Sequence, residues 1–301
     1  MASIEYSSII LSGGHIKSAS FIGCIKCLEE KGMIKHLRQF VGTSAGAVIC
    51  YLLALGFSSK DIRDFLINVL HDDKLNNFNI EEICNLFENL GIDSGEKLET
   101  IFKKALKLKL DINNDDIDFI TFAKVTGKDL VICVSNLTKE KEEFFSVDST
   151  PNMSVVTALR ASCSLPIIFT PVVINDMMYI DGGAYCNLPL NYIKDVKSRN
   201  DVIALNIKQT NYNNTSDFLN YMRFIIYSIL EKKCSYENND DQNVLSLFFD
   251  EADDLIFSFS DLKLDVKVET VDKLIKKGYE AMKVYLKKCT TFSEKIDLKS
   301  I

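Results

Sequence analysis

The chain has 301 residues, 42 acidic against 35 basic, for a formal net charge of −7. That balance argues against nucleic-acid binding, where affinity rests on Lys and Arg neutralising phosphates, and against a strong electrostatic pull toward anionic membranes. With 47% hydrophobic residues the chain can bury a sizeable core as one or two domains, and no apolar run approaches the ~18 residues of a membrane-spanning helix.

The N-terminus, M-A-S-I-E-Y-S-S-I-I-L, has neither the basic start nor the cleavage pattern of a signal peptide. The cysteines number nine and are scattered through apolar runs, as at Cys24, Cys50, Cys84 and Cys133. Such a set reads as reduced and intracellular, so the expected location is the cytoplasm. Cys24 and Cys27 have C-x-x-C spacing, but inside the amphipathic F-I-G-C-I-K-C-L they read as two thiols one helical turn apart. No cluster has metal-ligand spacing, and neither a metal nor a cofactor is expected.

In chain order, Ser7–Leu11 is a short buried strand that ends at Ser12-Gly13-Gly14. A helix follows with Phe21, Ile22, Ile25 and Leu28 on one face and Gly32 as its stop. Strand, Gly-rich turn and helix aim backbone N–H groups at an anion, yet neither G-x-G-x-x-G nor the P-loop pattern is present. Next comes Q-F-V-G-T-S-A-G-A-V-I-C-Y-L-L over Gln39–Leu53: an apolar run, a tight G-x-S-x-G turn, then an apolar helix. In that form Ser44 is either the nucleophile of a strand-to-helix elbow or a plain N-cap. Gly42 and Gly46 lie where strand and helix nearly touch, and the helix N-terminus favours negative charge near Ser44.

Ser58 or Ser59 caps another helix, with Asp61 in its first turn. Helical patterns then alternate with breaks at Asn76-Asn77 and at 91–95, and the Lys–Leu run Lys103–Lys109 reads as a solvated helix face, in preference to an anionic-lipid patch. Leu110–Asp118 is a loop. Asp129–Asn136 is a near-continuous apolar strand, as in a sheet covered on both faces, and Glu143–Val147 is a shorter one. Ser154 caps a helix reaching Ser164. Pro166 and Pro171 hold an extended segment, and Val172–Ile174 and Met177–Ile180 form a hairpin around Asn175-Asp176 that delivers Asp181-Gly182-Gly183. Val202–Ile207 is another buried strand. Phe218–Leu230 reads as a core helix, with a helix resting on a lipid surface as the alternative, Tyr236–Asn243 as a polar loop, and Val271–Leu286 as a closing amphipathic helix.

A serine hydroxyl needs a base. The histidines are His15, His36 and His71, so the hydrolase order of serine, acid, histidine would squeeze both partners into residues 45–71. Counting alone argues against that triad and leaves a carboxylate. Asp181 stands at the end of the apolar M-M-Y-I before two glycines, either as that base or as an aspartate opening an ordinary Gly turn.

Four stretches together resemble the patatin-like phospholipase family. They are L-S-G-G-H-I-K-S-A-S-F-I-G at Leu11–Gly23, V-G-T-S-A-G-A-V-I-C-Y-L-L-A-L-G at Val41–Gly56, A-L-R-A-S-C-S-L-P-I-I-F-T-P at Ala158–Pro171, and Y-I-D-G-G-A-Y-C-N-L-P at Tyr179–Pro189. The similarity runs from about Tyr6 to about Tyr192. It implies a lipid acyl hydrolase with a Ser44–Asp181 dyad, an acyl-enzyme, and an oxyanion hole from the amides of Gly13, Gly14 and His15. The basic residue of the loop is Lys17, assigned to substrate binding. His15 and Ser18 stand where the family usually has glycine, so a catalytically inactive lipid-binding relative is one alternative; an acyltransferase on the same dyad, with an alcohol or lysolipid in place of water, is the other. The implied partner is a phospholipid or other lipid ester, met by peripheral membrane contact; the oligomeric state stays open.

The implied fold is α/β and three-layered, a mainly parallel central sheet with helices on both faces. No linker or repeat divides the chain. It reads as a single domain over 1–301, with a motif-bearing core of about 6–192 and C-terminal strand and helices over 193–301.

Overall fold

The computed structural model describes residues 5–70, 90–110, 116–193, 201–209, 243–249 and 267–297. The expectations for Asn76-Asn77, Phe218–Leu230 and most of Tyr236–Asn243 lie outside these residues, as do His71 and Cys84.

The chain enters through β1 (Ser8–Leu11), makes a 3₁₀ turn at His15–Ser18, and runs through α1 (Ala19–Glu30) into β2 (Gln39–Thr43). α2 (Ala45–Ala54), α3 (Ser59–Leu70), β3 (Gly91–Asp93), α4 (Glu96–Lys109) and α5 (Phe119–Thr126) lead to β4 (Asp129–Asn136) and β5 (Lys141–Phe145). Then come α6 (Val155–Ser162), β6 (Ile167–Phe169), β7 (Val172–Ile174), β8 (Met177–Asp181), β9 (Val202–Gln209), β10 (Val244–Phe249) and α7 (Val268–Asp297).

Local chemistry sets these boundaries. Ser58 and Asp61 form a reciprocal cap, each side chain accepting from the other's backbone amide. Ser154 caps α6 by accepting from the Thr157 amide at 2.9 Å. Gly32, at φ 69°, ends α1 while the next amide reaches back to the Leu28 carbonyl. Asn175 and Asp176, at φ 49° and 62°, turn the β7–β8 hairpin with the left-handed pair that matches strand twist.

The sheet is mixed. β10, β9, β1, β2 and β4 run parallel in that spatial order, while β5 and β8 pair antiparallel to β4, and β7 to β8. Helical segments cover both sides, the 3₁₀ turn at Leu190–Tyr192 among them. The seven α-helices of the described residues bury their apolar faces in one large core with Ile9, Leu11, Phe40, Ile132, Leu205 and their neighbours. The other face, with Ile10, Val41, Val131 and Ala204, is covered by Leu188–Ile193 and its 3₁₀ turn at Leu190–Tyr192. α7 packs along α1 so tightly that a Cβ at Gly278 would meet the Ser20 carbonyl.

One detail of register positions the site. Cys133 of β4 pairs with Thr43 on one side and Phe144 on the other; one residue on, Val134 pairs with Asp181 and Glu143. β5 holds one flank of β4 from Ile132 to Asn136, so β8 occupies the flank that β2 vacates after Thr43. Two strands thus meet head to head beside β4, and their ends are Thr43-Ser44 and Asp181.

Some elements differ from expectation. The second strand after Asp129–Asn136 begins at Lys141, two residues early, because its register against β4 (Asn136↔Lys141) follows from the tight turn at 137–140, not from apolarity. The break at 91–95 holds a strand, β3, paired parallel with β6 in a separate two-stranded sheet. β10 and α5 carried no sequence expectation.

Candidate active site

Ser44 sits between β2 and α2 with φ 53° and ψ −127°, outside the regions L-residues favour. Such a conformation costs of order 1–3 kcal/mol and persists only where the surroundings over-determine it. They do so here. A Cβ at Gly42 would lie 2.6 Å from the Ala47 backbone, and one at Gly46 would run into the Ser12 carbonyl. Glycine at 46 therefore lets the start of α2 press against the end of β1. The loop leaving β1 passes directly over the serine, with the Cβ position of Gly13 3.3 Å from Ser44 Cβ.

The Ser44 hydroxyl donates to Asp181 Oδ2 at 2.6 Å. Both residues are nearly closed to solvent, 8% and 4% exposed. The other carboxylate oxygen, Oδ1, accepts from the Gly183 amide at 2.8 Å, and the Asp181 amide donates to the Ser164 carbonyl at 2.9 Å. Burial raises the Asp181 carboxyl to about 6, against the hydrogen bonds from Ser44 and Gly183 that lower it. A carboxylate so shifted is a better base for a hydroxyl than one at its ordinary value.

The Gly-rich loop lies beside this pair. Gly13 donates its amide to the Asn187 carbonyl at 3.2 Å, and Asn187 Nδ2 donates to the Gly13 carbonyl at 3.4 Å. A Cβ at Gly14 would come within 2.6 Å of Ile207 Cγ1, so only glycine fits. His15 is exposed and adopts φ 48°, a left-handed conformation that glycine takes freely and histidine more readily than most residues. Lys17 is buried at 5% exposure, in the turn beneath the loop.

Ser44, Asp181 and Gly13 are thus brought together, with Gly14 following Gly13 in the same loop, while His15 turns its side chain to solvent and Lys17 is enclosed. Three residues escaped notice as functional candidates. The Ser162 hydroxyl accepts from the Ser44 amide at 2.8 Å. Asn187 ties down Gly13. Arg160, 2% exposed, donates to the Ser94 carbonyl, the Thr170 carbonyl and the Ser164 hydroxyl, which joins β3 and the β6–β7 turn to the residues before Asp181. Polar residues inside the motif stretches, Arg160 and Ser162 in one and Asn187 in another, were the available signal for all three. Among the described residues no group of His, Cys, Asp or Glu could hold a metal ion, the cysteines are free thiols, and no helix is long and apolar enough to cross a membrane.

A strained serine at a strand–helix elbow, bonded to an aspartate across the end of a mixed α/β sheet, defines a class of proteins built around a Ser–Asp pair. Within it, the family model described as "Patatin-like phospholipase" matches residues 9–193, and the chain belongs to that family. It is 32% identical over 188 residues to "Probable lipid hydrolase 463L" of Invertebrate iridescent virus 6, a match covering 62% of each protein. It is 27% identical over 228 residues to "Triacylglycerol lipase 4" of Saccharomyces cerevisiae, which covers 68% of this chain and 24% of that one. In fold it is similar to VipD from Legionella pneumophila, with a TM-score of 0.59, 20% identity, and coverage of 95% of this chain and 67% of the other. It is also similar to the ExoU–SpcU complex structure from Pseudomonas aeruginosa, with a TM-score of 0.51, 18% identity, and coverage of 95% and 52%.

Proposed function

We propose that the protein is a lipid acyl hydrolase that cleaves fatty acyl esters through a Ser44–Asp181 dyad and an acyl-enzyme. The observation that carries this reading is the buried 2.6 Å hydrogen bond from Ser44 to Asp181. Asp181 accepts the hydroxyl proton as Ser44 Oγ attacks the ester carbonyl, and then returns it to the leaving alcohol. Water activated by the same carboxylate next attacks the acyl-serine and releases the fatty acid. The family membership and a relative named as a lipid hydrolase support a lipid ester as substrate.

The negative oxygen of the tetrahedral intermediate needs donors. We assign them to the amides of Gly14 and His15, with the N-terminus of α2 behind Ser44. The Gly13 amide already donates to Asn187, so Gly13 serves to bring the loop close over the nucleophile. Having a side chain at position 15 does not remove its N–H, and the φ of 48° keeps the loop shape a glycine would give. That supports an active enzyme over an inactive relative. Enclosed beneath the loop, Lys17 suits a cation that biases the site toward negative charge better than a grip on a distant head group.

The test is hydrolysis of phospholipid vesicles and of a p-nitrophenyl ester by wild type, Ser44→Ala and Asp181→Asn. Loss of turnover by about 10³-fold or more in each variant is expected; full activity in either one ends the dyad reading.

A further inference from the structure

The C-terminal end of α6 and the residues after it, Arg160-Ala161-Ser162-Cys163-Ser164, reach both halves of the Ser44–Asp181 pair. Ser162 is fully buried; its hydroxyl accepts from the Ser44 amide at 2.8 Å and donates to the Cys133 carbonyl at 2.7 Å. Two residues on, the Ser164 carbonyl accepts from the Asp181 amide at 2.9 Å. The Arg160 guanidinium locks this turn by donating to the Ser164 hydroxyl while it holds the carbonyls of Ser94 and Thr170.

We propose that Ser162 is a positioning residue for the nucleophile, holding the Ser44 backbone at a fixed offset from β4 so that its hydroxyl meets Asp181. This rests on the dyad reading above and adds to it the group that sets the dyad's geometry.

The argument begins with the ladder. β2 and β4 pair as far as Thr43↔Cys133. At Ser44 the chain leaves the strand with φ 53° and ψ −127°, and its buried amide donates to the Ser162 hydroxyl. A buried N–H must find a partner. Ser162 supplies one by inserting its hydroxyl between the Ser44 amide and the Cys133 carbonyl of the neighbouring strand. With its proton on Cys133 and a lone pair on Ser44, the hydroxyl has a fixed rotation. Without it, the Ser44 amide recovers a partner only by closing on β4, which draws Ser44 back from Asp181 and lengthens the 2.6 Å bond. Ser162 acts through the Ser44 backbone and the substrate never meets it, so its removal should touch the chemical step and spare binding.

The experiment measures kcat and KM on a p-nitrophenyl ester for wild type, Ser162→Ala and the size-matched Ser162→Cys, per folded molecule, with denaturation midpoints in parallel. Should one variant fail to fold, the other answers the same question. The expected result is a fall in kcat of about 10- to 100-fold with KM within about twofold of wild type. A merely structural serine would lower the midpoint and leave kcat per folded molecule unchanged; that result, or a loss expressed through KM, overturns the proposal. Ser44→Ala measured alongside separates the two ideas. If wild-type turnover does not depend on Ser44, the functional reading falls and this inference with it. If turnover depends on Ser44 and the Ser162 variants match wild type, only this inference falls.

Discussion

Replacing Asp181 by Asn should stabilise the fold at neutral pH while abolishing activity. The carboxyl ordinarily titrates near 3.8, and burial raises it to about 6 in the folded protein. At about 1.4 kcal/mol per unit, the difference is worth roughly 3 kcal/mol. The sign follows from proton binding. Between those two values the folded state holds the proton that the unfolded state releases, so this stability is full below the unfolded value and is lost as pH rises through the folded one. At alkaline pH the native protein therefore carries a charged carboxylate at 4% exposure without that compensation. Asparagine is neutral throughout. Its carbonyl can keep the Gly183 amide, and its NH₂ group can meet Ser44 Oγ as a donor. Urea unfolding of both proteins should show Asp181→Asn ahead by about 1–3 kcal/mol near pH 8, with the gap closing toward pH 4. A variant no more stable than wild type at pH 8, or a gap independent of pH, would refute the burial argument for the base.

The rate should follow the same group: kcat/KM should rise with pH through an apparent value near 6 and then level off, because only the ionised Asp181 accepts the Ser44 proton; a profile flat across that range would assign the base elsewhere. His15→Gly should keep activity within about threefold, since φ 48° suits glycine and the amide remains, whereas His15→Pro, lacking both the N–H and access to positive φ, should lose about 10²-fold or more. Gly46→Ala would force a methyl into the Ser12 carbonyl, and we expect it to separate the elbow from the Gly-rich loop, with a fall in kcat and in the thermal midpoint together.

The turn at Ser44 and the strand end at Asp181 were legible because each is a local pattern: G-T-S-A-G between an apolar strand and an apolar helix, and D-G-G after M-M-Y-I. The parallel core strands were equally plain, since burial on both faces writes a continuous apolar run such as L-V-I-C-V. What failed to show in the sequence depends on partners far along the chain. β3 and β6 lie more than seventy residues apart and are defined by pairing with each other, as Gly91↔Ile167. Ser162 and Arg160 look like ordinary helix residues until the fold sets one against the Ser44 amide and the other against Ser94 and Thr170. Position 15 marks a middle case. Its glycine-like conformation was foreseeable from the family pattern, but that histidine occupies it at φ 48° is a result of folding.

The most direct test of the Ser44–Asp181 account is to trap the covalent intermediate. Wild type mixed with a p-nitrophenyl ester, quenched in acid and examined by intact-mass and peptide mass spectrometry should carry one acyl group, on Ser44. Ser44→Ala should carry none. Turnover of the ester by wild type with the acyl group on another residue, or turnover that survives in Ser44→Ala, would contradict it.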